Sequence, residues 1–149
     1  MTSFPDLILI TLFNPQDKEP LANIAVQIRL FARHKNDYYL IPPLSDSYGR
    51  IQVTSDWVEK QIKQERDLFV MDYTSLSVEF EPKIEIRIMS QEQIDRVVQS
   101  MEEWRTILRI DDREIEGLRN ASNIEYKSST HMIEFNQKSV VYIDLVVDQ

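Results

Sequence analysis

Pairs of carboxylates are the side chains of this chain best suited, by type and spacing, to chemistry: Glu79 with Glu81, Glu102 with Glu103, Asp111 with Asp112, and Glu114 with Glu116. General acid–base catalysis needs one carboxyl group of a pair to be desolvated close to the other, so that their pKa values differ. Glu79 and Glu81 alternate with apolar residues, which predicts that both face solvent from a strand. We expect surface charge at these pairs and name no catalytic residue.

Metal and cofactor chemistry has few candidate ligands in this sequence. The chain contains two histidines, His34 and His131, and no cysteine. A metal site would have to join both histidines to carboxylates from distant segments, since neither H-x-x-x-H nor H-E-x-x-H occurs. Two glycines exclude a glycine-rich phosphate-binding loop. We expect no metal and no cofactor.

Aromatic residues form the one candidate ligand-binding patch. Tyr38, Tyr39, Tyr48 and Trp57 cluster in the sequence around a predicted hairpin end and the helix that follows it. Aromatic rings near loops can bind a small molecule or a sugar. The alternative is core packing with one or two rings exposed. A binding patch predicts that the four rings line one concave pocket.

Charge limits the classes of partner. The formal net charge of −8 repels nucleic acid and anionic lipid, so we expect neither a nucleic-acid nor a membrane partner. Between residues 90 and 126, nine acidic residues stand against five arginines and no lysine. This segment is either the solvated face of a helix or a docking face for a basic nuclease or toxin. The second reading places Glu102, Glu103, Asp111 and Asp112 in the interaction face.

Composition indicates a globular protein. A chain of 149 residues with 42% hydrophobic residues is about one domain long and can bury a core without metal or disulfide. The absence of cysteine removes the best argument for an extracellular protein, and the apolar run 7–13 is too short for a membrane span. We therefore expect residues 1–149 to form a single cytoplasmic domain.

Strands dominate the predicted elements. Apolar runs and period-two alternation predict strands at 7–13, 24–31, 38–41, 51–53, 68–73 and 77–89, with a bend or an edge position at Pro82. Residues 132–135 and 140–147 predict a C-terminal hairpin. Gly49 is the only glycine in the first 116 residues and is expected to adopt a positive φ in the turn before the strand at 51.

Helices are predicted where capping signals precede an apolar stripe. Asp56 with Glu59 predicts a short helix near 57–65, and Ser90 with Gln93 predicts an amphipathic helix near 91–108, whose stripe ends at Trp104 and Leu108. A shorter polar helix is expected from Asp111 to Asn120.

The elements together predict an α+β, mostly β fold. We expect an antiparallel β-sandwich over residues 7–89. Residues 90–149 are expected to add a helical appendage and the C-terminal hairpin that completes the sheet.

The first half of the chain resembles the transthyretin-like sandwiches, a group that includes carboxypeptidase regulatory domains and Cna-B modules. The resemblance covers roughly residues 7–74 and rests on the run Pro20-Leu21-Ala22-Asn23-Ile24-Ala25-Val26 followed by the turn Asp46-Ser47-Tyr48-Gly49. It implies a β-sandwich with a short helix between strands. The first strand has neither a histidine, as the hydroxyisourate hydrolases require, nor a lysine for thyroxine, and the C-terminal Tyr-Arg-Gly-Ser of those hydrolases is not found, so neither activity is implied.

The leading hypothesis is a non-enzymatic protein-interaction or structural module that self-associates through a sheet edge or the amphipathic helix. The expected partner under this hypothesis is a second copy of the chain, in a homodimer, or another protein. The alternatives are a small-molecule or sugar-binding domain and an acidic inhibitor of a basic nuclease or toxin.

Overall fold

The computed structural model describes residues 4–33, 36–69, 79–121, 126–136 and 139–147. Within these ranges the strands are β1 (Leu7–Phe13), β2 (Val26–Ala32), β3 (Tyr38–Leu40), β4 (Arg50–Thr54), β5 (Phe80–Ile88), β6 (Ser129–Glu134) and β7 (Val140–Val146). The helices are α1 (Ser55–Phe69), α2 (Gln91–Glu103) and α3 (Asp112–Arg119). The predicted α+β, mostly β fold class is confirmed.

Two sheets form the body of the fold. The three-stranded sheet has the order β4-β1-β7, and the four-stranded sheet has the order β3-β2-β5-β6. Alternate residues of their strands are buried in one shared core, to which Ile10 and Ile143 contribute from the first sheet and Ile28 and Ile86 from the second. Each strand therefore has one face in the core of a sandwich and one face outside it.

The turn before β4 has the predicted glycine geometry. Gly49 has a φ of +73°, and a Cβ placed there would lie 2.6 Å from the main-chain oxygen of Leu12. Leu12 in turn donates its N–H to the Gly49 oxygen at 2.8 Å. The glycine is therefore required both by its backbone conformation and by the close approach of β1.

Pro82 lies at an irregularity of β5, as the sequence predicts. Leu30 faces Ile84 and Ala32 faces Phe80, so three residues of β5 lie opposite the single residue Phe31 of β2. A bulge of this kind removes the need for an N–H at the proline. The strand can therefore stay inside the sheet, between β2 and β6.

The predicted C-terminal hairpin is wrong. β6 pairs antiparallel with β5 in the four-stranded sheet, whereas β7 pairs parallel with β1 in the three-stranded sheet. The sandwich is thus not wholly antiparallel. Period-two alternation assigns each strand a buried face but does not identify its neighbour.

Helix α1 begins and ends differently from its prediction. It starts at Ser55, where the Trp57 N–H donates to Oγ1 of Thr54 at 3.1 Å, so Thr54 serves the role expected of Asp56. It continues to Phe69, so the strand expected at 68–73 is wrong at its first two residues. The rest of that predicted strand lies outside the described residues.

Helix α2 has the predicted start but a shorter course. Ser90 and Gln93 form the capping box, and Ile94 and Val98 are buried against Ala25 and Met89. The helix ends at Glu103, and Arg109 then adopts a φ of +53°. The predicted helix to residue 108 is therefore too long, because this turn redirects the chain into α3.

Candidate functional site

Tyr38 and Tyr39 lie on opposite faces of β3. The Tyr38 ring packs edge-on against Phe80 with 6.1 Å between ring centroids, at the margin of the core. The Tyr39 ring is exposed on the outer face of the four-stranded sheet, 5.6 Å from the guanidinium of Arg29. Adjacent residues of a strand alternate in direction, so the two rings cannot line one pocket.

Tyr48 and Trp57 are also separated. Tyr48 is exposed in the turn that precedes β4, with its ring 5.6 Å from the guanidinium of Arg50. Trp57 is half-buried in the first turn of α1, which follows the other end of β4, and packs against the core. The structure therefore does not bring the four predicted aromatic residues together.

The outer face of the four-stranded sheet carries a cluster of neutralised charges around Arg29. This guanidinium lies 2.7 Å from Oδ2 of Asp37, 3.7 Å from Oε2 of Glu85 and 4.6 Å from the centre of the Phe31 ring. The hydrogen bond to Asp37 raises the pKa of Arg29 above its ordinary value. Arg29 therefore stays protonated and ties β2, β3 and β5 together, which is a structural role.

A broad, open depression of about 700 Å³ lies beside this cluster. Its lining residues come from β5 and from the end of β6: Glu81, Pro82, Lys83, Glu134, Phe135 and Asn136. The Lys83 ammonium lies 3.8 Å from Oε2 of Glu81 and 4.5 Å from the centre of the Phe31 ring. The depression is therefore wide and polar, and its lysine already has partners within the chain.

The four predicted acidic interaction residues lie around the connection between α2 and α3. Glu102 pairs with Arg119, and Oδ1 of Asp112 lies 2.7 Å from Nη1 of Arg105. Asp111 caps α3 by accepting the N–H of Arg113, and Glu103 accepts a long 3.5 Å hydrogen bond from Gln99. Each carboxylate thus has a partner in this chain, and arginine neutralises two of them.

Three apolar side chains are exposed in the same connection. Trp104 is 50% exposed and Ile107 59% exposed, and Leu108 is exposed beside them. The sequence places Trp104 and Leu108 on the buried stripe of α2, but the last buried residue of that helix is Val98. Trp104 and Leu108 are not buried with the rest of this stripe, because α2 ends at Glu103.

Among the described strands, β3, β4, β6 and β7 form the edges of the two sheets. β3 is only three residues long, β4 exposes Arg50 and Gln52, and β6 has six residues and exposes Thr130, Met132 and Glu134. β7 is the longest of these four strands, with seven residues, and it exposes Val140, Tyr142 and Val146 beside a single charge at Asp144. Long, regular and apolar edge strands are templates for another strand.

The hydrogen bonds of β7 define which of its groups face outward. Leu7 N donates to Ser139 O at 3.1 Å, and Val147 N donates to Phe13 O at 2.9 Å, at the two ends of the β1–β7 ladder. Parallel ladders have evenly spaced bonds in which alternate residues face the partner strand. The odd-numbered residues of β7 therefore bond to β1. The even-numbered residues direct their N–H and C=O groups away from the sheet: Val140, Tyr142, Asp144 and Val146.

The same four residues carry their side chains on the outer face of the three-stranded sheet. Tyr142 is 75% exposed, and Val140 and Val146 are exposed on either side of it. Leu7, Leu9 and Phe13 of β1 lie beside them in register and are half-buried. We call the four residues with their outward main-chain groups the β7 edge, which combines apolar surface with hydrogen-bonding groups that have no partner strand among the described residues.

Sequence reasoning does not find the β7 edge. The run from Val140 to Val147 predicts a strand, but only its pairing with β1 shows that one side of it has no neighbour among the described strands. The available signal is composition, because a seven-residue strand with one charge lacks the protective residues of an exposed edge.

The described ranges contain neither a candidate metal site nor a candidate membrane-spanning helix. No group of three or more histidine, cysteine, aspartate or glutamate side chains there could hold a metal ion. No helix in the same ranges is long and apolar enough to cross a membrane.

Comparison with known proteins adds little. No model of a known protein family matches this chain, and no curated protein matches it. A solved structure described as a 9R-lipoxygenase from Cyanothece PCC8801 aligns with 99% of this chain at 11% identity and a TM-score of 0.39. This chain covers 18% of that one. A similarity at this TM-score carries no argument about fold or function.

Proposed function

We propose that this chain is a non-enzymatic protein-interaction module that self-associates by adding a strand at the β7 edge. The observation that carries the proposal is the outward row of main-chain N–H and C=O groups on Val140, Tyr142, Asp144 and Val146. Strand addition satisfies such groups directly and buries the apolar side chains around them. A cytoplasmic location belongs to the proposal and agrees with the absence of cysteine.

The two alternatives have less support. A ligand-binding aromatic patch requires rings that converge, and Tyr39 and Tyr48 lie at separate places on the surface. An acidic inhibitor requires carboxylates free for a partner, whereas Glu102 and Asp112 are paired with arginines. The β7 edge needs no rearrangement of this kind before it can bind.

A proline at Tyr142 tests the proposal directly. The Tyr142 N–H points outward, so Tyr142→Pro removes a donor from the β7 edge without removing a hydrogen bond of the β1–β7 ladder. Sedimentation velocity over a concentration series should show a dimer for the native chain and a monomer for Tyr142→Pro.

Tyr48→Ala is the matched control, because it removes an exposed tyrosine from the turn before β4, the strand at the opposite edge of the sheet from β7, and should leave the dimer intact. Circular dichroism must show that all three proteins are folded. A native chain that is monomeric at every concentration refutes self-association. A dimer that persists in Tyr142→Pro refutes the β7 edge as its site.

A further inference from the structure

The hydrogen-bonding pattern of β7 restricts how a second copy can pair with it. Directly opposite residues in an antiparallel pair exchange two hydrogen bonds only if both direct their main-chain groups into the interface. On β7 those residues are the even-numbered ones. An even-numbered residue must therefore face an even-numbered residue of the second copy, and a two-fold axis relating the copies must pass through a residue position of the strand.

The number of hydrogen bonds distinguishes the positions of this axis. With the axis at Ile143, Val140 faces Val146 of the second copy and Tyr142 faces its Asp144. All four outward residues of each strand are then paired, which gives about eight interchain hydrogen bonds. Moving the axis to Tyr142 or Asp144 leaves one end of β7 without an opposite residue inside the strand and reduces the number to about six.

Side-chain pairing favours the same position. With the axis at Asp144, the only charge of β7 lies opposite its own copy, and like charges placed directly opposite are destabilising. With the axis at Tyr142, Asp144 lies opposite the apolar Val140. With the axis at Ile143, Tyr142 lies opposite Asp144 of the second copy, whose carboxylate can accept a hydrogen bond from the tyrosine hydroxyl. Val140 then lies opposite Val146 of the second copy.

From these constraints we infer that a second copy of this chain pairs its β7 antiparallel with the first, around a two-fold axis through Ile143. The inference rests on the proposed function and specifies its partner and geometry. The two three-stranded sheets then become one continuous six-stranded sheet. A two-fold interface of this kind is closed, because each copy uses its β7 edge once and no β7 edge is left to bind a third copy.

Disulfide trapping can determine the position of the axis. The native chain has no cysteine, so any disulfide must form between the introduced residues. Opposite residues in hydrogen-bonded antiparallel pairs have Cα atoms about 5.5 Å apart, within the range of a disulfide. The samples are Tyr142→Cys alone, Asp144→Cys alone, and an equal mixture of the two, each oxidised under mild conditions. We expect a covalent dimer in the mixture only, formed between one copy of each variant.

The other outcomes separate the two claims. A covalent dimer from Tyr142→Cys alone places the axis at Tyr142, and one from Asp144→Cys alone places it at Asp144. Either result overturns the inferred axis but leaves self-association through β7 standing. If none of the samples forms a covalent dimer although the native chain dimerises, β7 is not the interface and both claims fail.

Charge variants give a second measurement that does not depend on disulfide geometry. Tyr142→Glu places a carboxylate opposite Asp144 twice in the dimer and should raise its dissociation constant about tenfold. Tyr142→Lys places an opposite charge there and should leave the constant within about threefold of the native value. Equal weakening by both variants overturns the axis at Ile143, because an axis at Tyr142 would bring each introduced charge against its own copy.

Discussion

Replacement of the two glycines by alanine should change stability in opposite directions. At Gly49 a new Cβ meets the Leu12 oxygen at 2.6 Å and the Leu21 nitrogen at 3.0 Å. These atoms already bond to each other, since Leu21 N donates to Leu12 O at 3.0 Å. Neither can move aside without disturbing a main-chain hydrogen bond at the end of β1.

The size of the effect follows from two contributions. An alanine held at a φ of +73° costs about 1–2 kcal/mol relative to glycine. Loss or distortion of one main-chain hydrogen bond adds roughly 0.5–1.5 kcal/mol. We therefore expect Gly49→Ala to lower the free energy of unfolding by about 1.5–3.5 kcal/mol.

Gly117 supplies the matched control. It lies inside α3, and a Cβ there has no neighbour within 4 Å. Alanine reduces the backbone entropy of the unfolded chain and favours helix, so Gly117→Ala should raise the free energy of unfolding by roughly 0.5–1 kcal/mol.

Urea unfolding followed by circular dichroism measures both variants against the native chain at equal protein concentration, so that any association affects all three alike. An unchanged or higher midpoint for Gly49→Ala would contradict the account of the turn. Changes of the same sign in both variants would show that local backbone geometry does not control their effects.

Two further substitutions test the interior. Ser45 is 2% exposed, and its hydroxyl accepts the Ile24 N–H at 2.9 Å and donates to Leu21 O at 2.7 Å. Ser45→Ala removes the hydroxyl that bonds to these two main-chain groups and should lower the free energy of unfolding by about 1–3 kcal/mol. Ser47 is exposed two residues further on, so the free energy of unfolding of Ser47→Ala should stay within about 0.5 kcal/mol of the native value. Ile10 is fully buried between the sheets, so Ile10→Ala should cost about 2–5 kcal/mol in the same urea titration. Ile107→Ala removes a comparable side chain from an exposed position and should cost less than about 1 kcal/mol; equal losses at the two sites would be incompatible with the packing described.

Local signals predict the parts of the fold that depend on nearby residues. Alternation identifies β1 and β2, the predicted hairpin of β2 with β3 is confirmed, and the capping box of Ser90 with Gln93 places the start of α2. The positive φ of Gly49 is confirmed for the same reason, because a turn before an alternating strand restricts a single backbone position. Each of these features is specified within a few residues of sequence.

Distant pairing is not specified in this way. The apolar pattern of residues 140–147 is equally compatible with a hairpin to β6 and with the observed parallel ladder to β1. Trp104 fits the stripe of α2 by spacing, yet it is exposed because the helix ends one residue before it. The resemblance of residues 7–74 to transthyretin-like sandwiches stays a prediction.

In β7, the direction of hydrogen bonding and the direction of the side chains alternate together. The odd-numbered residues Val141, Ile143 and Leu145 bury their side chains in the core and bond to β1, so they hold the strand in the fold. The even-numbered residues turn both side chain and main chain outward. The proposed interface therefore uses the even-numbered residues, whereas the odd-numbered residues stabilise the fold. Substitutions at even positions should change binding with little effect on folding, and those at odd positions should do the reverse.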